Sequence, residues 1–182
     1  DRTGTADQQA LAADLRYLIG ATSYIDLEFA TSDGPGLGAG RSLDGGLIFD
    51  TTPPAGGTGS AFRLDAAIDF ADAGWQRPGE LSFYAERREA GFSTLDYTVS
   101  DDERLFGFAL QTVLAERLSL AVSYDDFEND AGRIDREAYL GLDYAVNDVA
   151  RLGFGLERVE RAGGAVEGNR TDAALRYTRE LS

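Results

Sequence analysis

Asp126, Glu128, Asp130 and Glu137 fall at positions 1, 3, 5 and 12 of the segment DFENDAGRIDRE. That is the spacing at which a calcium loop sets out its ligands, and alternate carboxylates with a closing one suit a hard cation. Position 6, however, is Ala131 where the sharp turn calls for Gly, and the flanks read as strands rather than helices. With 32 acidic residues in the chain such matches also arise by chance, so a solvated acidic loop is the competing reading. Calcium at these four carboxylates is the one cofactor the sequence suggests.

Other chemistry finds less support. GPGLGAG, Gly34 to Gly40, has neither the glycine spacing of a dinucleotide fingerprint nor the lysine of a P-loop, and reads as an external loop. There is no Cys and no His, and every basic residue is Arg. Thiol catalysis, thiolate metal sites and the usual general base are therefore missing, and a serine nucleophile would lack its activating partner. Carboxylate pairs for glycoside chemistry could be drawn from many positions, which makes none of them informative. Asn169–Thr171 reads only as a loop triplet. The chain is not expected to be an enzyme. Its net charge of -15 argues against nucleic acid as a partner, because phosphate would be repelled.

The elements that must carry these residues are strands. In LAERLSLAVSYDDF, Leu118, Leu120, Val122 and Tyr124 alternate with small polar residues. The pattern returns 32 residues later in VNDVARLGFGLERV, with Leu120 matched by Leu152, Val122 by Phe154 and Tyr124 by Leu156. Each follows another alternating segment, Phe106–Thr112 or Ala138–Tyr144, so the unit is strand, short polar turn, strand. It begins again at DAALRYTRELS, and an earlier version spans ALAADLRYLIGATSYIDLEFATSD. Between them, Gly45–Asp50, Ala61–Phe70 and Glu80–Arg88 read as further strands. Alternation over nine or ten residues is a strong strand signal. About ten strands result, with no helix and no apolar run near the roughly 20 residues of a spanning helix.

The connections after Tyr17, Thr112 and Tyr144 are short, whereas the others are longer and rich in Gly and Asp. Strand parity fails in the middle third, so either Leu95–Ser100 adds a strand or Gly45–Asp50 is not one.

Three features favour lipid over a protein core. Ten residues at about 3.3 Å, tilted near 40°, rise roughly 25 Å, the height of an outer-membrane apolar band. Tyr17, Phe29, Phe70, Tyr124, Tyr144 and Tyr177 stand where apolar stretches meet turns, as interfacial girdles do. The opposite face carries charges of both signs at mid-strand. Over nearly the whole chain the pattern resembles Gram-negative outer-membrane β-barrel proteins of the porin or transporter type, with LAERLSLAVSYDDF and VNDVARLGFGLERV similar to their periplasmic turns.

The resemblance implies an all-β, antiparallel up-and-down transmembrane β-barrel in the bacterial outer membrane, closing alone or within a larger barrel. Residues 1–182 are expected to form one barrel domain or segment, a processed piece cut within the repeat at RYTRELS. Asp14, Arg16, Asp26, Glu28, Arg63, Asp65, Asp69, Glu86, Arg88, Glu137, Asp143, Arg151, Glu157 and Arg176 are then expected to face the lumen. Leu118, Leu120, Val122, Tyr124, Leu152, Phe154 and Leu156 would face membrane lipid. The expected function is a pore or transporter for small polar solutes or cations. A membrane anchor or surface scaffold is the first alternative, and a soluble, salt-adapted β-sandwich binding module is the second.

Overall fold

The computed structural model describes residues 8–34, 41–42, 49–50, 57–94 and 98–180. In chain order the strands are β1 (Gln9–Leu18), β2 (Tyr24–Asp33), β3 (Arg41–Ser42), β4 (Phe49–Asp50), β5 (Gly59–Asp69) and β6 (Gly79–Arg88). They continue with β7 (Glu103–Ala115), β8 (Leu118–Asn129), β9 (Ile134–Asn147), β10 (Ala150–Ala162) and β11 (Gly168–Arg179). Nine of them form one sheet in the order β1-β2-β5-β6-β7-β8-β9-β10-β11, every neighbouring pair antiparallel. β3 and β4 make a separate two-residue ladder. The protein is thus an all-β, up-and-down meander, and its sheet is open: β1 and β11 do not pair.

Nine strands, rather than about ten, resolve the parity conflict. Of Gly45–Asp50 only Phe49 and Asp50 are described, and they lie outside the large sheet. In Leu95–Ser100, residues 95–97 lie outside the described residues and Thr98 makes only an isolated bridge to Ser93. Most of the Gly34–Gly40 segment also lies outside them.

The 32-residue repeat corresponds to hairpins β7–β8 and β9–β10. Each closes with a two-residue turn, Glu116–Arg117 or Asp148–Val149, beside a register irregularity. Strands here run further than alternation alone suggests. β8 continues to Asn129 and β9 starts at Ile134, so the expected loop Asp126–Asp135 shrinks to four residues. The segment Glu160–Asn169 likewise leaves only Gly163–Glu167 between strands.

Registered partners share a face, so the ladders assign every side chain. One face carries Leu11, Ala13, Leu15 and Tyr17 of β1, Ile25, Leu27 and Phe29 of β2, and Phe62, Leu64, Ala66 and Ile68 of β5. It continues through Leu81, Phe83 and Ala85, then Phe106, Phe108 and Leu110, then Leu118, Leu120, Val122 and Tyr124. Ala138, Leu140, Leu142 and Tyr144 follow, then Leu152, Phe154 and Leu156, and last Ala173, Leu175 and Tyr177. Nothing among the described residues covers this face. Phe106 and Phe154 are 43% and 40% exposed in mid-sheet, and Leu11 and Leu175 reach 72% and 80% on the edge strands.

The upper limit of this apolar belt moves in even steps. The first charged residues above it are Arg87 and Arg104, which are partners on β6 and β7. On β8 and β9 the limit falls at Asp126 and Arg136, one side-chain row lower, and on β10 at Arg158, lower by another row, with uncharged but polar Thr171 as its partner on β11. The limit therefore shifts by one residue per strand. With a rise of about 3.3 Å per residue and about 4.8 Å between strands, the belt lies at about 35° to the ladder rows. Strands of outer-membrane barrels tilt by about 35–45°.

Aromatic placement follows the belt, not the strand ends. Tyr17, Tyr144 and Tyr177 mark its lower limit and Phe29 and Tyr124 its upper one, although β2 and β8 run on past both. Phe70 departs from expectation. It is buried in the β5–β6 turn, edge-on to Trp75 with ring centroids 4.4 Å apart.

Candidate functional site

All fourteen residues expected on the charged face do share one face, and the seven expected to be apolar-facing share the other. The polar face is continuous from β1 to β11. Its rows include Asp14–Glu28–Arg63–Glu86 and Arg16–Asp26–Asp65–Tyr84 across the first four strands of the sheet.

Ion pairs stitch neighbouring strands together on this face. Arg16 bonds Asp26, and Arg63 bonds Asp65 while lying 3.9 Å from Glu86. Arg88 joins Glu86 to Glu103, at 3.3 Å from the latter, and both carboxylates are only 12% exposed. Further along, Arg161 meets Asp135 at 3.2 Å and Arg170 meets Glu157 at 3.3 Å. Arg176 reaches Asp143 at 3.7 Å by passing over Gly153, which has no side chain to obstruct it. Tyr84 lies across Gly107, its registered partner, and donates to Asp125 at 2.7 Å. A Cβ on Gly107 would stand 2.6 Å from that ring, so the crossing needs glycine. Among the described residues no ion pair involves Asp14, Glu28, Glu80 or Glu137, and the unpaired charge on this face is mainly acidic.

The described parts of the β6–β7 connection, residues 89–94 and 98–102, fold over the polar face at the loop end of β1, β2 and β5. They are seated on small residues. Ser93 N–H donates to Ser32 Oγ at 2.8 Å, and Gln8 Nε2 donates to Ser93 Oγ at 2.8 Å. Phe92, Val99, Ser93 and Ser32 are buried there, a rare cluster in a sheet otherwise without a core. Gly59 lets the loop approach, because a Cβ at this position would fall 2.2 Å from Phe92 N. The loop is pinned at its far end by Asp102, which accepts from Ala90 N–H at 2.9 Å and pairs with Arg87. These bonds hold the Asp102 carboxyl below the usual carboxylate range.

Between loop and sheet lies a cavity of about 650 Å³ with Glu28, Arg63, Glu86 and Arg88 on one side and Phe92, Ser93 and Thr94 on the other. Ala10, Ala12, Ala30 and Ala61 form its floor. Leu11, Thr31 and Phe62 also border it, so the lining is mostly apolar with both charges and hydroxyls set into it. Sequence reasoning found the charges and a long connection here, but not that the connection folds over the polar face. The only sequence signal for its seat is the run of small residues at Ala10, Ala12, Ala30, Gly59 and Ala61.

The opposite end of the sheet is clamped. Asp72, in the β5–β6 turn, accepts from the N–H groups of Ala21, Thr22 and Ser23 at 3.1, 3.0 and 2.9 Å, and from the Ser23 hydroxyl at 2.8 Å. Three backbone donors hold its carboxyl far below the usual range.

The calcium template does not converge. Asp126 and Glu128 sit above the apolar belt, whereas Glu137, partner of Asp125, points to the polar face. Asp130 is in the turn between them. Arg136 occupies the position a cation would need, bonding Asp126 at 2.8 Å and lying 4.0 Å from Glu128. Among the described residues no group of three or more His, Cys, Asp or Glu could hold a metal ion.

No family model, curated protein or solved structure matches this chain.

Proposed function

We infer that this chain forms the wall of a β-barrel in an outer membrane, and that its polar face lines a passage for small polar solutes, cations above all. The observation that carries the reading is the uncovered apolar belt and its drift of one residue per strand. A flat hydrocarbon slab cutting across strands tilted by about 35° needs that drift. In a sandwich, a second sheet would have to lie over Phe62, Phe106 and Phe154, and none does among the described residues. A long strand left half in water also stands at odds with solubility, since apolar patches of this extent mark contact surfaces.

On the polar face, unpaired carboxylates would favour cations over anions. The β6–β7 loop would narrow the passage beside Arg63, Glu86 and Arg88. That same loop supports a second reading, a barrel whose interior is filled and which serves as anchor or scaffold.

Folding with and without detergent, read by circular dichroism and by band shift on an unheated gel, tests the membrane reading. Folding only in detergent is expected; a folded monomer in plain or salty buffer would overturn it. Planar-bilayer conductance then separates the two barrel readings, with cation-selective current expected for a passage and silence for a scaffold.

A further inference from the structure

On β1, β2 and β5 the polar face changes character from one rung to the next. The loop is seated on the rung Ala10–Ser32–Gly59, and the charged row Asp14–Glu28–Arg63–Glu86 lies nearer the turn side. Between them runs the row Ala12–Ala30–Ala61–Arg88. Three methyl groups therefore stand where the next row carries Asp14, Glu28 and Arg63. Phe92, buried and with its backbone crossing Gly59, closes the same cavity from the loop side. Ser32 and Glu28 are separated by about 13 Å of strand at about 3.3 Å per residue. The cavity is thus apolar at its loop end and charged at the other. Its volume of about 650 Å³ falls within the range of small-molecule sites.

The charges at that end are not equivalent. Arg63 is bonded to Asp65 and lies 3.9 Å from Glu86, while Arg88 joins Glu86 to Glu103. Both guanidiniums in the lining are therefore matched by carboxylates. Glu28 is exposed and makes no ion pair among the described residues, and its registered partner Asp14 is a second carboxylate. Resting on the reading of the polar face as a surface that small solutes reach, we propose that this cavity binds a small amphipathic organic cation, a primary amine with an aromatic or branched aliphatic body. The ammonium group donates to the Glu28 carboxylate, and the body lies between the alanine methyls and Phe92. An anion in the same place would be repelled by Glu28 and Asp14, and the guanidiniums that could receive it are already engaged. A bare inorganic cation gains nothing from the methyl floor, whereas an apolar body gains by leaving water.

The probe is phenethylammonium, titrated calorimetrically into the full chain in whichever medium folds it, with the same titration into empty micelles subtracted. Saturable binding at one site is expected. Glu28→Gln should weaken it about tenfold, through loss of one charge-assisted contact. Ala30→Leu fills the floor and should abolish binding, with circular dichroism confirming the parent's fold in both variants. Glu80→Gln alters an unpaired carboxylate at the turn end of the same face and should leave binding unchanged. Phenylpropionate binding as tightly as the amine would overturn the proposal by denying the role of Glu28. Methylammonium binding as tightly would overturn it by denying the apolar end. Equal weakening by Glu28→Gln and Glu80→Gln would overturn it in favour of attraction by the whole acidic face. No saturable binding to a folded chain would overturn it outright. The passage reading fails separately. A chain that binds the amine yet stays silent in a planar bilayer keeps the site and loses the passage, whereas cation current with no amine binding does the reverse.

Discussion

Strands β7 to β11 and strands β1 to β6 build the same sheet by different means. In the first group the chain repeats a hairpin with a two-residue turn, and contacts beyond the ladder are mostly exposed ion pairs such as Arg161–Asp135 and Arg170–Glu157. In the second group the hairpins are joined by longer connections, and specific side chains do the fastening. Asp72 ties the β1–β2 turn to the β5–β6 turn, and Phe92, Ser93 and Val99 are buried beside Ser32 and Gly59. The contrast teaches that a wall needs only alternation and register, since each strand is held by its neighbours. Tertiary fastening is concentrated in this second group, at the turn end through Asp72 and at the loop end beside the cavity.

The largest effect should be common to both groups. Phe154→Arg and Leu120→Arg in the repeated hairpins, and Phe62→Arg in β5, should each oppose bilayer insertion by about 2–4 kcal/mol near the midplane. Insertion into liposomes from urea, followed by tryptophan fluorescence, reads this out; a normal midpoint for Phe62→Arg would mean that the belt does not extend across β5.

Next comes a change confined to the fastened group. Gly59→Val drives a side chain into the backbone at Phe92, and overpacking of this kind costs about 1–3 kcal/mol. The loop should lift, exposing 89–102 to protease and raising conductance, while the β7–β11 ladder keeps its amide protection.

Acid should act on the same group. The Asp72 carboxyl is held below its usual range, so its contribution is complete above the unfolded value of about 3.9 and is lost as pH falls through the lower folded value. Asp72→Asn should therefore melt lower than the parent at neutral pH, and the difference should narrow below about pH 4. A gap that stays constant down to strongly acidic pH would deny the clamp. The smallest effect belongs to the repeat: Arg170→Ala removes exposed pairs with Glu157 and Asp172 and should cost at most about 1 kcal/mol in melting experiments.

Much of this was readable in the residues. Period-two alternation fixes which side chains share a face, so Asp14 through Arg176 lie together on one face of the sheet and Leu118 through Leu156 on the other. Strand ends were less legible. Asp126–Asn129 is charged and reads as loop, yet Asp126 is only 9% exposed, tied to Arg136 on the next strand and to the Tyr124 hydroxyl. The bond to Arg136 crosses between strands and is invisible along a single segment. The template's carboxylates part for a related reason: Asp126 registers with Arg136 on the next strand, so alternation puts Glu137 on the face opposite Asp126. The seat of the β6–β7 loop was beyond reach, since Ser32, Gly59 and Ser93 meet only after the sheet has formed.

The one-residue drift has a consequence for anything that moves along the polar face. The row Asp14–Glu28–Arg63–Glu86 runs level with the hydrogen bonds, and those are inclined to the belt. Each step to the next strand then changes depth by about 2.8 Å toward the loop side. Acid, acid, base and acid are met at successive heights and successive bearings. In the barrel proposed above, the interior would be threaded like a screw instead of banded in rings, and an ion passed from one carboxylate to the next would turn as it advances.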